Sequence, residues 1–587
     1  MSLYASSDST VGGLEPIVEL RDVTFQYRAQ SQPTLTDINL TIYRGQKVAI
    51  VGQSGSGKST LANLISGLIP HRYAGIVDGS IRVAGMDPST TPLHELSQRV
   101  GTVLQDPDGQ FVSLTVAEDI AFSLENAECD HREMVERTRK AAESVHIDHL
   151  LDSSPHDLSG GQKQRVSMAG VLVDEVDILL FDEPLASLDP ASGHQAVDLI
   201  ADLHARYNTT VIIIEHRLED ILRCDLDRII VMDRGRIIAD GDCDQIIASQ
   251  ILTDHGIREP LFVTAVRMAG HSPTSEECPS HVDKIRLDPV ASTLRQWSCE
   301  PPLRREPTEV ILSARNVNFS INDTPILSDI SFDICAGDTV ALCGTNGAGK
   351  STLARLICGF DRPDSGRIIC DGVEITDSPI AQRAEKIGFV IQNPNQMISQ
   401  PLILDEVGLA LAQRGITGSE AECRIEEVLK ICGLWAYRSW PISALSFGQR
   451  KRVTIASVLV MDPKIIILDE PTAGQDWAHY TDIMEFLRSL ADSQVTIILI
   501  THDMHLALEY TSTTMVMHDG HLIASDRSSA ILADLSIAER ASLATTSLTA
   551  LAKRVGIDHT DRFIEQFIVR ERQWRSDILR SHLGTGR

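Results

Sequence analysis

The pattern GxxxxGK(S/T) occurs twice in this chain, as GQSGSGKST (Gly52–Thr60) and as GTNGAGKST (Gly344–Thr352), and it leaves each half few ways to fold. Each copy follows a short apolar run, KVAIV or TVALC, and opens a helical pattern, LANLISGL or LARLICGF. A glycine-rich turn between strand and helix lets backbone N–H groups wrap a phosphate, and the helix N-terminus adds a favourable dipole. Gly52, Gln53, Ser54, Gly55, Ser56, Gly57, Lys58, Ser59 and Thr60 are therefore expected to form one nucleotide-binding loop. Gly344, Thr345, Asn346, Gly347, Ala348, Gly349, Lys350, Ser351 and Thr352 are expected to form the other. Lys58 and Lys350 should reach the β- and γ-phosphates, and the hydroxyls of Ser59 and Ser351 should ligate Mg²⁺.

The rest of each half repeats in the same order. ILLFDEP (Ile178–Pro184) and IIILDEP (Ile465–Pro471) read as buried strands ending in two carboxylates. Asp182 and Asp469 are expected to hold Mg²⁺, and Glu183 and Glu470 to polarise an attacking water. Upstream lie Gln105 or Gln392 at strand-like ends, then LSGGQKQRV (Leu158–Val166) or LSFGQRKRV (Leu445–Val453). Downstream come Asp189 or Asp476, then His216 or His502 behind an apolar run. Matching order and spacing mark a duplicated domain. The length of 587 residues agrees, because single cores rarely organise more than roughly 250–300. The expected division is a tail at 1–16, a first domain at 17–255, a linker at 256–308 with a helix near Pro260–Met268, a second domain at 309–532 and a helical extension at 533–587. The linker assignment rests on its Pro- and Ser-rich stretches.

Together these motifs resemble the ATP-binding cassette ATPases over essentially all of both halves. The resemblance implies an α/β fold of two tandem P-loop NTPase cassette domains, each a mixed sheet with flanking helices and a helical signature subdomain. It implies ATP and Mg²⁺ as cofactors, ATP hydrolysis as the activity, Gln105 and Gln392 as further metal ligands, and His216 and His502 as γ-phosphate sensors. It also implies that the two cassettes pair head to tail within the chain. Lys58, Ser59, Asp182, Glu183 and His216 would then share an ATP with Ser446, Gly448 and Gln449, and Lys350, Ser351, Asp469, Glu470 and His502 would share one with Ser159, Gly160, Gly161 and Gln162. Phe447 replaces the first signature glycine of the second half, but Ser446 and Gly448 remain, so both sites are expected to hydrolyse ATP. Tyr27 stands where the family stacks an aromatic ring on adenine, whereas the second half has Ile321, a loss of about 0.5–1.5 kcal/mol of stacking. Leu188 before Asp189 is likewise matched by Gln475 before Asp476.

Composition narrows the setting. With 43% hydrophobic and 23% charged residues the chain has the makings of ordinary globular cores. No apolar run approaches the 18 or so residues of a membrane helix, and MSLYASSDSTVGG lacks the regions of a signal peptide. Eleven cysteines, odd in number and without a CxxC pair, read as buried thiols of a reducing compartment. The net charge of −28 opposes nucleic-acid binding, whose affinity comes largely from Lys and Arg on phosphates. Nucleic acid is therefore not an expected partner.

With no channel of its own, a transport role requires membrane partners. QDPDGQFVS (Gln105–Ser113), QNPNQMIS (Gln392–Ser399), the LSFGQRKRV variant and GIREPLFVTAVRMAG resemble the fused two-cassette ATPases of energy-coupling factor importers. That resemblance implies import of a micronutrient (vitamin, vitamin precursor or transition-metal ion) at the cytoplasmic face of a prokaryotic membrane, with a transmembrane coupling protein and a membrane substrate-binding subunit. Phe111, Val112, Met397 and Ile398 are the expected docking residues, against the alternative that they are core. Two other families remain open: the fused ATPase of a monosaccharide importer, and a soluble tandem cassette ATPase acting on ribosomes or DNA. Near the C-terminus, Phe563, Phe567, Trp574 and Ile578 fall on one helical face, which reads either as a docking surface or as a helix packed on its own domain.

Overall fold

A strand such as Lys47–Gly52, buried from its second residue onward, has no face to give to water and takes the centre of a parallel sheet. In the computed structural model, which describes residues 15–104, 109–185, 188–301, 309–472, 477–541, 543 and 545–584, this happens once in each half. Contacts divide the chain into two compact units. The first is drawn from residues up to Leu188 with Ser192–Pro260 and Thr274–His281, the second from Asp189–Ala191, Leu261–Pro273 and Val282 onward.

In the first unit a six-stranded sheet runs in the order Val100–Val103, Ile178–Asp182, Thr210–Ile214, Lys47–Gly52, Arg228–Asp233, Arg236–Gly241. All neighbours are parallel except the last, antiparallel pair. A three-stranded antiparallel sheet (Leu35–Tyr43, Pro16–Tyr27, Gly75–Val83) supplies Val18, Phe25 and Ile38 to a core shared with Val48, Ile212 and the helix Lys58–Ile65. Helices Val116–Asn126, His131–Ser144 and Gly160–Leu172 pack together as a helical part.

The second unit repeats the plan. Its six-stranded sheet runs Ile387–Val390, Ile465–Asp469, Thr496–Ile500, Thr339–Gly344, Thr513–His518, His521–Arg527. Its antiparallel sheet joins Thr324–Cys335, Val310–Ile321, Ser365–Cys370 and Val373–Glu374, and its helical part is Ile403–Gln413, Ser419–Ile431 and Phe447–Leu459. The α/β architecture read from the motifs is thus present twice. In both sheets the loop-bearing strand, the strand before the histidine and the strand ending in the acid pair are consecutive neighbours and parallel. Their carboxyl ends therefore meet on one edge, where ligands of open α/β sheets bind.

The stretch 256–308, read from sequence as a linker, is largely built into folded structure. Ser280 donates its N–H and its hydroxyl to Asp244 within the first unit. Helices Leu261–Met268 and Ala291–Ser298 instead pack in the second unit against Ser547–Val555 and Thr560–Gly584. Trp297 stacks on Phe563 with ring centroids 6.0 Å apart and planes at 18°, Arg570 lies over the Trp297 ring at 5.2 Å, and Arg295 donates to the Val555 carbonyl at 2.8 Å. Phe563 and Phe567 are fully buried, so this part of the C-terminal helix packs on its own unit. Trp574 is half-buried, and the Ile578 side chain lies outside the described residues. All eleven cysteines are free, and among the described residues no helix is long and apolar enough to cross a membrane.

Phe563→Ala removes a buried ring and the platform under Trp297, a change of about 3–5 kcal/mol. Thermal unfolding should show an earlier transition for the second unit, and an unchanged melting profile would contradict the packing role.

Candidate nucleotide sites

The phosphate loops take the shape their glycines permit. Gly55 and Gly347 adopt left-handed backbones (φ +78° and +82°), and a Cβ built on either would point into open space with no atom within 4 Å. That open space beside a glycine-rich turn leaves room for the phosphate expected from sequence. Gly57 and Gly349 serve packing instead: a Cβ there would lie 2.6 Å from Leu35 or Leu327. Beneath each loop a lysine is buried. Lys58 donates to the carbonyls of Gly52 (2.8 Å) and Gln53 (3.0 Å), and Lys350 to those of Gly344 (2.9 Å) and Thr345 (2.8 Å). Burial lowers the Lys350 pKa, with Glu470 and Asp469 opposing. Ser56 Oγ is buried without a hydrogen-bond partner, and Gln53 donates to the His255 carbonyl at 3.0 Å.

The acid pairs sit at the adjoining strand ends. Glu183 and Glu470 have φ of 50° and 44°, a left-handed conformation costing non-glycine residues of order 1 kcal/mol or more. Each is held there by its N–H, which donates to the neighbouring strand at Ile214 or Ile500, both 2.9 Å. The turn brings each carboxylate to its histidine: His216 Nε2 lies 2.7 Å from Glu183 Oε1, and His502 Nδ1 lies 2.8 Å from Glu470 Oε1. Gln392 donates from Nε2 to Glu470 Oε2 at 3.0 Å. Burial and the charge of Glu183 push Asp182 up to about 6, against the pull of Lys58. Burial likewise raises Asp469, against a hydrogen bond from Ser351. Burial works to raise Glu470 too, but the His502 bond and the charges of His502, Lys350 and Lys451 leave it lowered.

These groups fit a divalent cation. Asp182 Oδ1 is buried with no hydrogen-bond partner, and Ser351 Oγ donates to Asp469 Oδ2 at 3.2 Å, so a hydroxyl and a carboxylate already converge. Ser59 is exposed beside its loop. Gln105, the third expected ligand of the first cassette, lies outside the described residues, as do Gln475 and Asp476.

Each signature opens a helix through a reciprocal cap. Ser159 accepts from the Gln162 N–H while Gln162 Oε1 accepts from the Ser159 N–H, and Ser446 and Gln449 do the same. Gly160 and Gly161 fill the first turn of one helix, Phe447 and Gly448 that of the other, and the reciprocal cap is present in both. Tyr27 packs edge-on against Phe25 (4.7 Å, 81°) and lies 3.2 Å, hydroxyl to hydroxyl, from Thr60. Ile321 is half exposed. Of the expected docking residues, Val112 is 65% exposed and Phe111 half-buried. Met397 and Ile398 are partly buried against the core of the second helical part. The Val112 N–H is held by Asp119, and the N–H groups of Ser399 and Gln400 by Glu406.

Sequence reading missed several residues. Tyr73, exposed and edge-on to Tyr27 at 6.4 Å, adds a second ring with no motif to announce it. Leu114 is more exposed than Val112, visible only once the loop is folded. Glu215, buried beside His216, accepts from the N–H groups of Leu185, His216 and Arg217. Lys451 is buried in the second signature helix, pushed down to about 8 by burial while Asp469 and Glu470 favour its charge.

Comparison with known proteins finds relatives over most of the chain. A family model described as ABC transporter matches residues 35–186 and 327–473, about half of the chain. Another, described as ATP-binding cassette cobalt transporter, matches residues 249–319. A protein of Clostridium perfringens (strain 13 / Type A) named as an ABC transporter ATP-binding protein is 51% identical over 94% of this chain and 98% of its own. One of Enterococcus faecalis with the same name is 49% identical over 96% and 99%. A solved structure of cbiO1 from Clostridium perfringens, described as part of the ABC transporter complex cbiONQ, is 34% identical over 39% of this chain and 94% of its own, with a TM-score of 0.37.

Asp182 offers a test of the electrostatics. Its folded pKa lies above the ordinary 3.8, so its ionised form is penalised by folding above about pH 6, and the penalty fades as pH falls toward the unfolded value. Asp182→Asn should therefore stabilise the nucleotide-free protein at pH 7.5 by about 1–3 kcal/mol while abolishing Mg²⁺-dependent turnover at that site. A lower melting temperature for this variant would overturn the assignment.

Proposed function

Since the chain belongs to the ABC transporter ATP-binding family and carries two cassettes in one polypeptide, we propose that it is the ATP-hydrolysing energy-coupling subunit of a membrane importer for a micronutrient. The observation that carries the catalytic part is the pairing of Glu183 with His216 and of Glu470 with His502 at 2.7 and 2.8 Å, each beside an intact phosphate loop. The match of residues 249–319 to a family described as a cobalt transporter supports the transition-metal ion among the three cargo classes of vitamin, vitamin precursor and transition-metal ion. The partners in this reading are a transmembrane coupling protein and a substrate-binding membrane subunit, with the chain on the cytoplasmic face of the membrane. Phe111, Val112, Met397 and Ile398 take part in docking, through the loops held by Asp119 and Glu406.

The residues divide the work of hydrolysis. Loop N–H groups and Lys58 or Lys350 bind the β- and γ-phosphates and draw off their charge. Ser59, Asp182 and Gln105, or Ser351, Asp469 and Gln392, would hold Mg²⁺, which when bound would supply further neutralisation of the phosphoryl oxygens. Glu183 and Glu470 accept a proton from the attacking water at Oε2 or Oε1, and the left-handed turn fixes where those oxygens stand. His216 and His502 orient the carboxylates and present their remaining ring nitrogen as the γ-phosphate sensor. Gln392 bonds the free side of Glu470, so that carboxylate is held from two directions.

Steady-state ATP turnover of the full chain with its membrane partners separates the two sites. Glu183→Gln and Glu470→Gln should each leave part of the activity and the double variant at least about 100-fold less. Complete loss from Glu183→Gln alone, with Glu470→Gln harmless, would assign turnover to the first phosphate loop only. Docking is tested separately: Val112→Asp should shift the chain from the membrane pellet to the supernatant of lysed cells, and unchanged sedimentation would remove Val112 from the interface.

A further inference from the structure

The two signature helices differ at a buried polar position near their start, where LSGGQKQRV places Gln164 and LSFGQRKRV places Lys451. Gln164 donates from Nε2 to the Pro184 carbonyl at 2.6 Å, tying its helix to the segment after the acid pair, and its Oε1 is buried without a partner. Lys451, 1% exposed, reaches a different target. Its Nζ donates to the carbonyl of Gln392 at 2.6 Å and to that of Ile391 at 3.1 Å. The neighbouring Arg450 donates from Nη1 to Asn395 Oδ1 at 2.7 Å. Gln392 then donates through its side chain to Glu470.

A buried ammonium is costly unless its charge and its donors are matched. Here two consecutive carbonyls take two of the three donors, and the carboxylates of Asp469 and Glu470 favour the charge. Nothing in the nucleotide chemistry above uses this group.

We propose that Lys451 is a positioning residue for ATP hydrolysis in the second cassette, pinning the Ile391–Gln392 backbone to the signature helix so that the Gln392 amide stays on Glu470. Consecutive carbonyls bonded to one cation cannot rotate independently, so the direction in which the Gln392 side chain leaves the backbone is fixed. Gln164 at the matching position bonds the Pro184 carbonyl. In the second cassette a shift of the Asn393–Ser399 loop is transmitted to the signature helix and to Glu470 together.

The test measures kcat and KM for ATP in the full chain with its membrane partners, for Lys451→Met, Gln392→Ala and the double variant. Lys451→Met should lower kcat about tenfold, as expected for loss of charge-assisted bonds to a catalytic loop, and leave KM within about twofold. The double variant should be no slower than the slower single variant, because both changes release the same amide. Losses that multiply in the double variant, a Gln392→Ala variant as fast as the wild type, or a Lys451→Met variant that only melts earlier would each overturn the proposal. If Lys451→Met does not fold, Lys451→Gln carries the residue that the first cassette accommodates at this helix position. It should show the same kcat loss at unchanged KM, and a folded Lys451→Gln chain with wild-type kcat overturns the proposal equally.

Discussion

Each cassette is organised around an ammonium buried beneath a turn of backbone. Lys58 and Lys350 are 5% and 7% exposed, too deep for water to solvate them, and their compensation is local: two loop carbonyls below and a pair of carboxylates across the strand ends. The acid pair in turn tolerates its own crowding because a cation faces it, as the opposing pulls on Asp182 show. The order of the central strands follows from this mutual dependence. Only when the loop strand, the histidine strand and the acid-pair strand are neighbours do these charges lie within reach of one another.

Around that common charge balance the two halves have diverged in their supports. The first has Tyr27 and Tyr73 beside its loop and a buried Glu215 under its histidine. The second has Ile321 at the aligned strand end, Thr501 in the place of Glu215, and Lys451 behind its acid pair. The histidines meet their glutamates through different ring nitrogens. Duplication preserved the loop lysines, the acid pairs and the histidines and left their neighbours free to change, which is where two sites of one chain can acquire different rates.

Much of this was legible in the sequence because the motifs are local. A glycine-rich turn between strand and helix, or an apolar run ending in Asp-Glu, specifies its own geometry over fewer than ten residues, and both halves folded as those patterns require. What escaped depended on distant partners. Ala291–Ser298 lies among Pro- and Ser-rich stretches that read as a tether, and its helical face, like that of the expected helix Leu261–Met268, makes sense only against Ser547–Val555 and Thr560–Gly584. QRKR in the second signature is wholly polar, yet successive helical residues point about 100° apart, so one of the four can face the core while the others do not. Tyr73 and Leu114 belong to loops, where exposure is set by neighbours rather than by period.

The arrangement of the second unit also dictates an order of events during synthesis. The bond from Arg295 to Val555 spans 260 residues, and Trp297 finds its stacking ring only at Phe563. The first sheet and its loop can close while the ribosome is still working, since all their strands lie within the first 241 residues. The helices at 261–298 cannot: they leave the ribosome with apolar faces uncovered and wait for nearly the whole remaining chain. A nascent chain stalled before Ser547–Val555 and Thr560–Gly584 would therefore hold a finished first cassette and an open, adhesive middle, which only those two helices can cover.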